Sequence, residues 1–257
     1  MNHDELYKNA RIYDVAFNYR DFGKELDFLT ACAVKLGGGA PTSFLEVAAG
    51  PGVHALLAAE RGMRVIALDL APAMMELCAM KARARNLQLQ TMVADMARFD
   101  VDTPVDLAFN PLTSISYLRT LDQLAEHMRC MARAVVPGGI YVVENNHPKD
   151  FLKGEHFTPS IWTMSEDDMT VTTTWIAQAP PNMDAAAQTY EAVGRYEVAG
   201  GPTIEDRAWL RMTFPSEIGL CARLAGFDVV AELGDLDLDK PLDDSGWRAV
   251  VVLKRRL

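Results

Sequence analysis

The stretch Ser43 to His54, SFLEVAAGPGVH, constrains this chain more than any other. Ser43 to Val47 is a short apolar run with Glu46 near its end, and it breaks into Ala48, Ala49, Gly50, Pro51 and Gly52. The apolar pattern resumes at Val53 and runs on through Ala55, Leu56, Leu57 and Ala58. That order spells a buried strand, a tight turn of small residues, and a helix whose N-terminus points at the turn. Small residues let a ligand approach the backbone closely, and the N–H groups of a first helical turn are free to bind it. A polar, nucleotide-like ligand is expected on this turn.

The flanking sequence supplies the rest of a layered fold. Residues 1–20 are polar with interspersed Tyr7, Tyr13, Phe17 and Tyr19, which reads either as an amphipathic lead-in helix or as a lid over a ligand. Phe22, Leu26, Leu29, Ala33 and Leu36 recur at helical spacing, and Gly37 to Gly39 stop that helix. Arg64 to Leu70 is a second strand carrying Asp69, Pro72 opens a helix through Met74, and Gln88 to Ala94 is a third strand followed by Asp95. Val105 to Asn110 is a fourth strand. Leu121 to Val135 is a helix with Pro137, Gly138 and Gly139 as its stop, and Ile140 to Glu144 is a fifth strand. Strands alternating with helices at this length predict βαβ units and a parallel sheet covered on both faces.

From Phe151 to Thr213 the helical period disappears. Met169 to Ala177 alternates apolar and polar residues, Pro180 to Asn182 turns the chain, and Tyr190 to Ala199 and Ile204 to Met212 read as further strands. Pro215 opens a last helix, and Phe227 to Leu233 and Trp247 to Leu253 close the chain as strands. The expected division is a helical lid segment at residues 1–42, a nucleotide-binding core at 43–150 and 214–257, and an antiparallel insertion at 151–213 that serves the substrate or a homodimer surface. Trp162, Trp175 and Trp209 are the candidate dimer residues.

Charge and cysteine usage narrow the partners. A net charge of −10 argues against a nucleic-acid backbone as ligand and leaves an amine-bearing small molecule acceptable. Cys32, Cys78, Cys130 and Cys221 lie far apart, as buried thiols of a reducing compartment would. No apolar run approaches the about 20 residues of a membrane span, and Met1 to Ala10 is polar, so a cytoplasmic location without membrane contact is expected. Asp235, Asp237, Asp239, Asp243 and Asp244 crowd one loop that lacks the glycine and glutamate of a calcium loop, and no histidine pair has metal-ligand spacing. No metal is expected.

Glu46, Asp69 and Asp95 each stand at or beside the C-terminal end of one of the first three strands, where open α/β sheets bind ligands. An acid seventeen residues beyond Gly52 is placed to accept hydrogen bonds from ribose hydroxyls. Gly50, Gly52 and Ala55 can be fitted to a dinucleotide-binding pattern, but Glu46 and Asp95 do not belong to it.

Here the chain resembles the class I S-adenosylmethionine-dependent methyltransferases. LEVAAGPG (Leu45 to Gly52) is similar to their first motif, with Ala49 where a Cys or Gly is usual. IALDLAPAMM (Ile66 to Met75) resembles the ribose-binding segment and VADMARFD (Val93 to Asp100) the adenine-contacting turn; the Pro137 to Gly139 signature also matches. Tyr13 to Leu29, Asn110 to Thr120 and the insertion resemble the small-molecule N-methyltransferases of the amino-sugar and glycine types. The resemblance implies a Rossmann-like α/β fold: a seven-stranded, mostly parallel sheet, helices on both faces, and an antiparallel β insertion after the fifth strand. It implies S-adenosyl-L-methionine as cofactor, with S-adenosyl-L-homocysteine as product.

The roles it implies are these. Ala48, Gly50 and Gly52 lie against the methionine part of the cofactor, Asp69 holds the ribose with Met74 in the following helix, and Asp95 accepts from the adenine amino group between Leu70 and Met96. Arg20 faces the cofactor carboxylate, Glu46 orients the turn or holds the amino group, and Asn110 lies near that amino group. Tyr13, Tyr117 and His147 are the catalytic candidates for handling the acceptor proton, with His156 behind them. A small-molecule O-methyltransferase, a catalytically silent cofactor-binding relative and an NAD-dependent oxidoreductase stand as alternatives.

Overall fold

A computed structural model describes residues 4–154, 157–177 and 182–257. Its framework is a seven-stranded sheet in the order β11-β12-β5-β4-β1-β2-β3. The strands are β1 (Ser43–Val47), β2 (Arg64–Asp69), β3 (Gln90–Val93), β4 (Val105–Asn110), β5 (Val135–Asn146), β11 (Phe227–Gly234) and β12 (Arg248–Arg255). β1 to β5 pair in parallel, while β12 runs antiparallel between β5 and β11. The strand order reverses between β1 and β4, so the crevice at their C-terminal ends is the switch point at which such sheets bind ligands.

The period of two along β1 builds both cores. Phe44 joins Ala67, Phe109 and Val142 beneath α3 (Phe22–Leu36), α4 (Val53–Glu60) and α5 (Pro72–Ala84). Leu45 and Val47 face the other way, toward α6 (Leu121–Ala134) and α8 (Pro215–Ala225). Local chemistry sets the helix ends. Asp21 caps α3 through the Lys24 N–H, Thr120 and Gln123 form a reciprocal capping box on α6, and Gly226 closes α8 at φ +97°. All four cysteines are buried and free. Among the described residues no helix is long and apolar enough to cross a membrane.

One boundary differs from expectation. The Pro137–Gly138–Gly139 segment does not end α6, which stops at Ala134; it lies inside β5 as a bulge. Val135 pairs with Val105 and Ile140 with Leu107, so the extra residues loop out, with Gly138 at φ +82°. Gly139 abuts the Asp106 carbonyl, where a Cβ would lie 2.9 Å from that oxygen.

The second sheet is antiparallel, in the order β10-β9-β7-β6, with a short β8 paired to β9. Its strands are β6 (Ser160–Glu166), β7 (Met169–Ala177), β8 (Met183–Asp184), β9 (Thr189–Val198) and β10 (Thr203–Arg211). A short α7 (Pro148–Leu152) leads toward it from β5. The expected turn at Pro180 and Pro181 falls outside the described residues. The chain leaves β5 and returns before α8 at adjoining points, where Asn145 Nδ2 donates to the Thr213 carbonyl at 2.6 Å. Two N-terminal helices, α1 (Asp4–Lys8) and α2 (Ala10–Ala16), pack Leu6, Ile12 and Val15 against Val171 and Tyr196 of this sheet. They therefore stand between the sheet and the ligand-binding ends of β1 and β4.

Candidate active site

The turn after β1 is a backbone cradle. Ala48, Gly50 and Gly52 all take left-handed conformations, at φ +55°, +54° and +73°. A side chain at Gly52 would run into the Cys78 sulfur, so glycine is required there by space as well as by φ. Asp69, at the end of β2, braces the cradle: its Oδ2 accepts from the Gly50 N–H and its Oδ1 from the Ala71 N–H, each at 2.8 Å. Burial raises the Asp69 carboxyl above the ordinary carboxylate range. Each of its oxygens keeps capacity for a second donor. Leu70 beside it is exposed.

On the far side of the crevice Asp95 is exposed and closes its own turn by accepting from the Ala97 N–H at 2.8 Å. The next carbonyl, Met96, accepts from His127 Nδ1 at 2.8 Å, and the Tyr141 hydroxyl donates to His127 Nε2 at 2.7 Å. Burial pushes His127 down to about 4, so the neutral ring serves as a fixed strut under the Asp95–Met96 turn. Asn110 ends β4 fully buried. Its Nδ2 donates to the Val47 carbonyl at 3.1 Å, while its Oδ1 has no hydrogen-bond partner. A buried amide oxygen left unpaired costs free energy unless something polar meets it.

Glu46 holds the start of α4, accepting from the Ala55 N–H at 2.9 Å and from His54 Nδ1 at 2.7 Å. His54 Nε2 meets Glu25 at 2.7 Å. Burial opposes a charge on this ring, but Glu46 and Glu25 outweigh it, and His54 titrates at about 9. Glu25 also accepts from Arg20 Nε, and the Arg20 guanidinium reaches both oxygens of Glu144 at 3.0 and 2.8 Å. Glu144 Oε2 in turn accepts from the Leu112 N–H at 2.9 Å. Arg20, expected to face the cofactor carboxylate, is thus taken up by two carboxylates of the protein, Glu25 and Glu144.

Two cavities adjoin this crevice. A narrow cleft at the cradle is lined by Tyr13, Phe17, Ala48, Pro51, His54 and Leu112 among others. Tyr13 lies over the turn, its ring 3.3 Å from where a Gly50 Cβ would stand, and stacks on Phe17 at 4.4 Å between centroids. Beyond it opens a cavity of about 520 Å³ between the N-terminal helices, the loop after β4 and the antiparallel sheet. Tyr13 lines both cavities and Tyr117 the larger one, where the Tyr117 hydroxyl is 2.7 Å from that of Tyr7.

Several expected roles need correction. His147 caps α7: its Nδ1 accepts from the Lys149 N–H at 3.1 Å and its Nε2 donates to the Asp243 carbonyl at 2.9 Å. With both nitrogens engaged and the ring buried, it has no site from which to take a proton. Met74 is fully buried in the core with Met75 and Cys78, not on the crevice. Trp162 and Trp175, expected on a dimer surface, line the large cavity, and Trp162 Nε1 donates to the Ala16 carbonyl at 2.6 Å. Only Trp209 of the three points away from the cavity face of β10, paired opposite Glu191. His156 lies outside the described residues. Glu25, Glu144, His127, Asp150, Asp206 and Arg248 were not singled out from the sequence; Glu25, Glu144 and His127 bond to residues on other elements, His54, Arg20 and Tyr141, that no local pattern announces.

Residues 44–139 match the family described as Methyltransferase domain. The chain is 33% identical over 102 residues to the dTDP-4-amino-2,3,4,6-tetradeoxy-D-glucose N,N-dimethyltransferase of Saccharopolyspora spinosa, covering 40% of this chain and 39% of that one. It spans 39% to 58% of the length of the first curated relatives it matches. The structure superimposes on an S-adenosylmethionine-dependent methyltransferase from Clostridium acetobutylicum with TM-score 0.79 at 17% identity, over 98% and 99% of the two chains. It superimposes on the sugar N-methyltransferase KedS8 of Streptoalloteichus with TM-score 0.73 at 22% identity, over 95% and 93%. The segment that carries the Gly50–Gly52 cradle, Asp69 and Asp95 is the one that matches the Methyltransferase domain family, and the fold is that of the S-adenosylmethionine-dependent methyltransferase on which the chain superimposes.

Proposed function

We propose that this chain is an S-adenosylmethionine-dependent methyltransferase that methylates a nitrogen of a small-molecule acceptor. The observation that supports this most is the cradle itself: Asp69 bonded to the Gly50 N–H, with the unpaired Asn110 Oδ1 buried across the crevice. An orphaned acceptor, a left-handed backbone turn and a strand-end carboxylate together fit an amino-acid-bearing nucleoside. Asp69 would hold the ribose hydroxyls and Asp95 the adenine amino group, with Leu70 and Met96 along the ring. Asn110 Oδ1 would accept from the ammonium group, and Ala48, Gly50 and Gly52 would lie along the methionine chain.

When bound, the cofactor supplies a methyl group already activated on a sulfonium. What remains for the protein is proximity, alignment and exclusion of water. Tyr13 closes over the cradle and separates it from bulk solvent. Burial pushes the Tyr117 hydroxyl up to about 12 and raises that of Tyr13 further, so both stay protonated at neutral pH. They orient an acceptor by hydrogen bonds rather than serve as bases. The amine relative from Saccharopolyspora and the sugar N-methyltransferase fold neighbour favour nitrogen over oxygen.

Calorimetric titration with S-adenosylhomocysteine tests the reading, on the wild type and on Asp69→Ala. Saturable binding that is lost in the variant is expected. A folded wild type that does not bind overturns it. Binding with turnover of hydroxyl acceptors alone would assign an O-methyltransferase, and binding without turnover of any acceptor a silent relative.

A further inference from the structure

The cleft at the cradle is small. Its volume is about 30 Å³, room for one or two waters, whereas the cavity beyond it measures about 520 Å³. The amino-acid end of S-adenosylmethionine does not fit a space of that size. What closes the cleft is Tyr13, whose ring packs on Gly50 and stacks on Phe17. Tyr13 lies on α2 and Phe17 follows it, so the position of one short helix decides whether the cradle can be loaded.

The seven residues of α2 have little helical stability of their own, and their neighbours set where they rest. Most of that hold comes from the antiparallel sheet. Ile12 and Val15 are buried against Val171 and Tyr196, and Trp162 Nε1 donates to the Ala16 carbonyl. Arg11 Nη2 donates to Asp167 Oδ2 at 2.7 Å, and Arg11 Nη1 is 3.2 Å from Glu166, both in the β6–β7 hairpin. Toward the core the helices present Ala10, Tyr7 and Tyr13. There the charged contact is a buried one: Asp14 accepts from Lys81 Nζ of α5 at 2.6 Å. The N-terminal helices therefore belong mechanically to the antiparallel sheet. That body joins the core through the non-helical residues 17–20 and through the Asn145–Thr213 junction, the places at which it can hinge.

We propose that the cofactor and its product exchange through a tilt of the antiparallel sheet and the N-terminal helices, as one body, away from the core, and that the Lys81–Asp14 pair is the latch that holds it closed. This rests on the methyl-transfer reading of the site and adds how the cradle is loaded. Neither Lys81 nor Arg11 lines either cavity, so replacing them leaves the ligand contacts in place.

The test is surface plasmon resonance on the immobilised full chain with S-adenosylhomocysteine as the probe, reading association and dissociation rates separately. Wild-type association is expected to be slower than about 10⁵ M⁻¹s⁻¹, because binding waits on a conformational change. Lys81→Met is expected to raise both rates about tenfold. Its Kd should move by less than about threefold, since the latch is made with or without ligand and favours neither state of binding. Arg11→Gln, which breaks a contact inside the moving body, is expected to leave both rates at the wild-type values. A merely structural Lys81 would instead weaken binding without speeding association. That result overturns the proposal, as do wild-type association above the stated rate and Arg11→Gln rates raised like those of Lys81→Met. The wild-type rate needs no variant, so it decides the matter even if Lys81→Met does not fold. Failure of S-adenosylhomocysteine to bind the folded wild type would instead defeat the methyl-transfer reading.

Discussion

Gly52 concentrates two requirements in one residue. It holds φ +73°, and a Cβ there would collide with Cys78 on α5. Gly52→Ala is therefore expected to cost about 2 kcal/mol of stability, read as a fall in urea midpoint, and to weaken S-adenosylhomocysteine in the calorimeter because the cradle must shift. The strand-end acids were legible in the sequence because a residue at the end of an apolar run has few places to be except the sheet rim. His147 was not. Its ring is claimed by the Asp243 carbonyl, 96 residues away, and no local pattern announces such a partner. Met74 misled for a related reason: it sits in a motif-like segment, yet the period of α5 turns it inward.

At the level of elements, the buried chain of charge from Glu46 through His54, Glu25 and Arg20 to Glu144 ties β1, α4, α3 and β5 together, and its last link fixes the loop at Leu112. His54 titrates at about 9 in the folded protein, above its ordinary 6.5. A raised folded pKa means its contribution is fully present below pH 6.5 and is lost as pH rises through 9. Urea midpoints at pH 6, 7.5 and 9.5 are expected to decline for the wild type. His54→Gln should start lower and lose much of that decline; parallel curves would refute the charge assignment. The element boundaries were read from the same grammar, with one instructive failure. Pro137–Gly138–Gly139 has the composition of a helix stop, but tertiary pairing of Val135 with Val105 extends the strand across it. Propensity marks a break in regularity; it does not say whether the chain stops or bulges.

The whole molecule places one crevice between two sheets and seals it with the N-terminal helices. The alternation of strands and helices made the parallel sheet legible, because βαβ units leave little topological freedom. The face each insertion strand presents was not legible, since it depends on the register of β9 against β10. A ligand seated at the switch point stabilises only the folded chain. S-adenosylhomocysteine at one hundred times its Kd is thus expected to add about 2.7 kcal/mol, seen as a rise in Tm that Asp69→Ala abolishes.

The close approach of Asn145 to Thr213 has a consequence for how such chains diversify. The antiparallel sheet enters and leaves the core through one doorway, so it is attached as a cassette. Exchange of the antiparallel sheet at that doorway would leave the Gly50–Gly52 turn, on the other side of the junction, with its geometry.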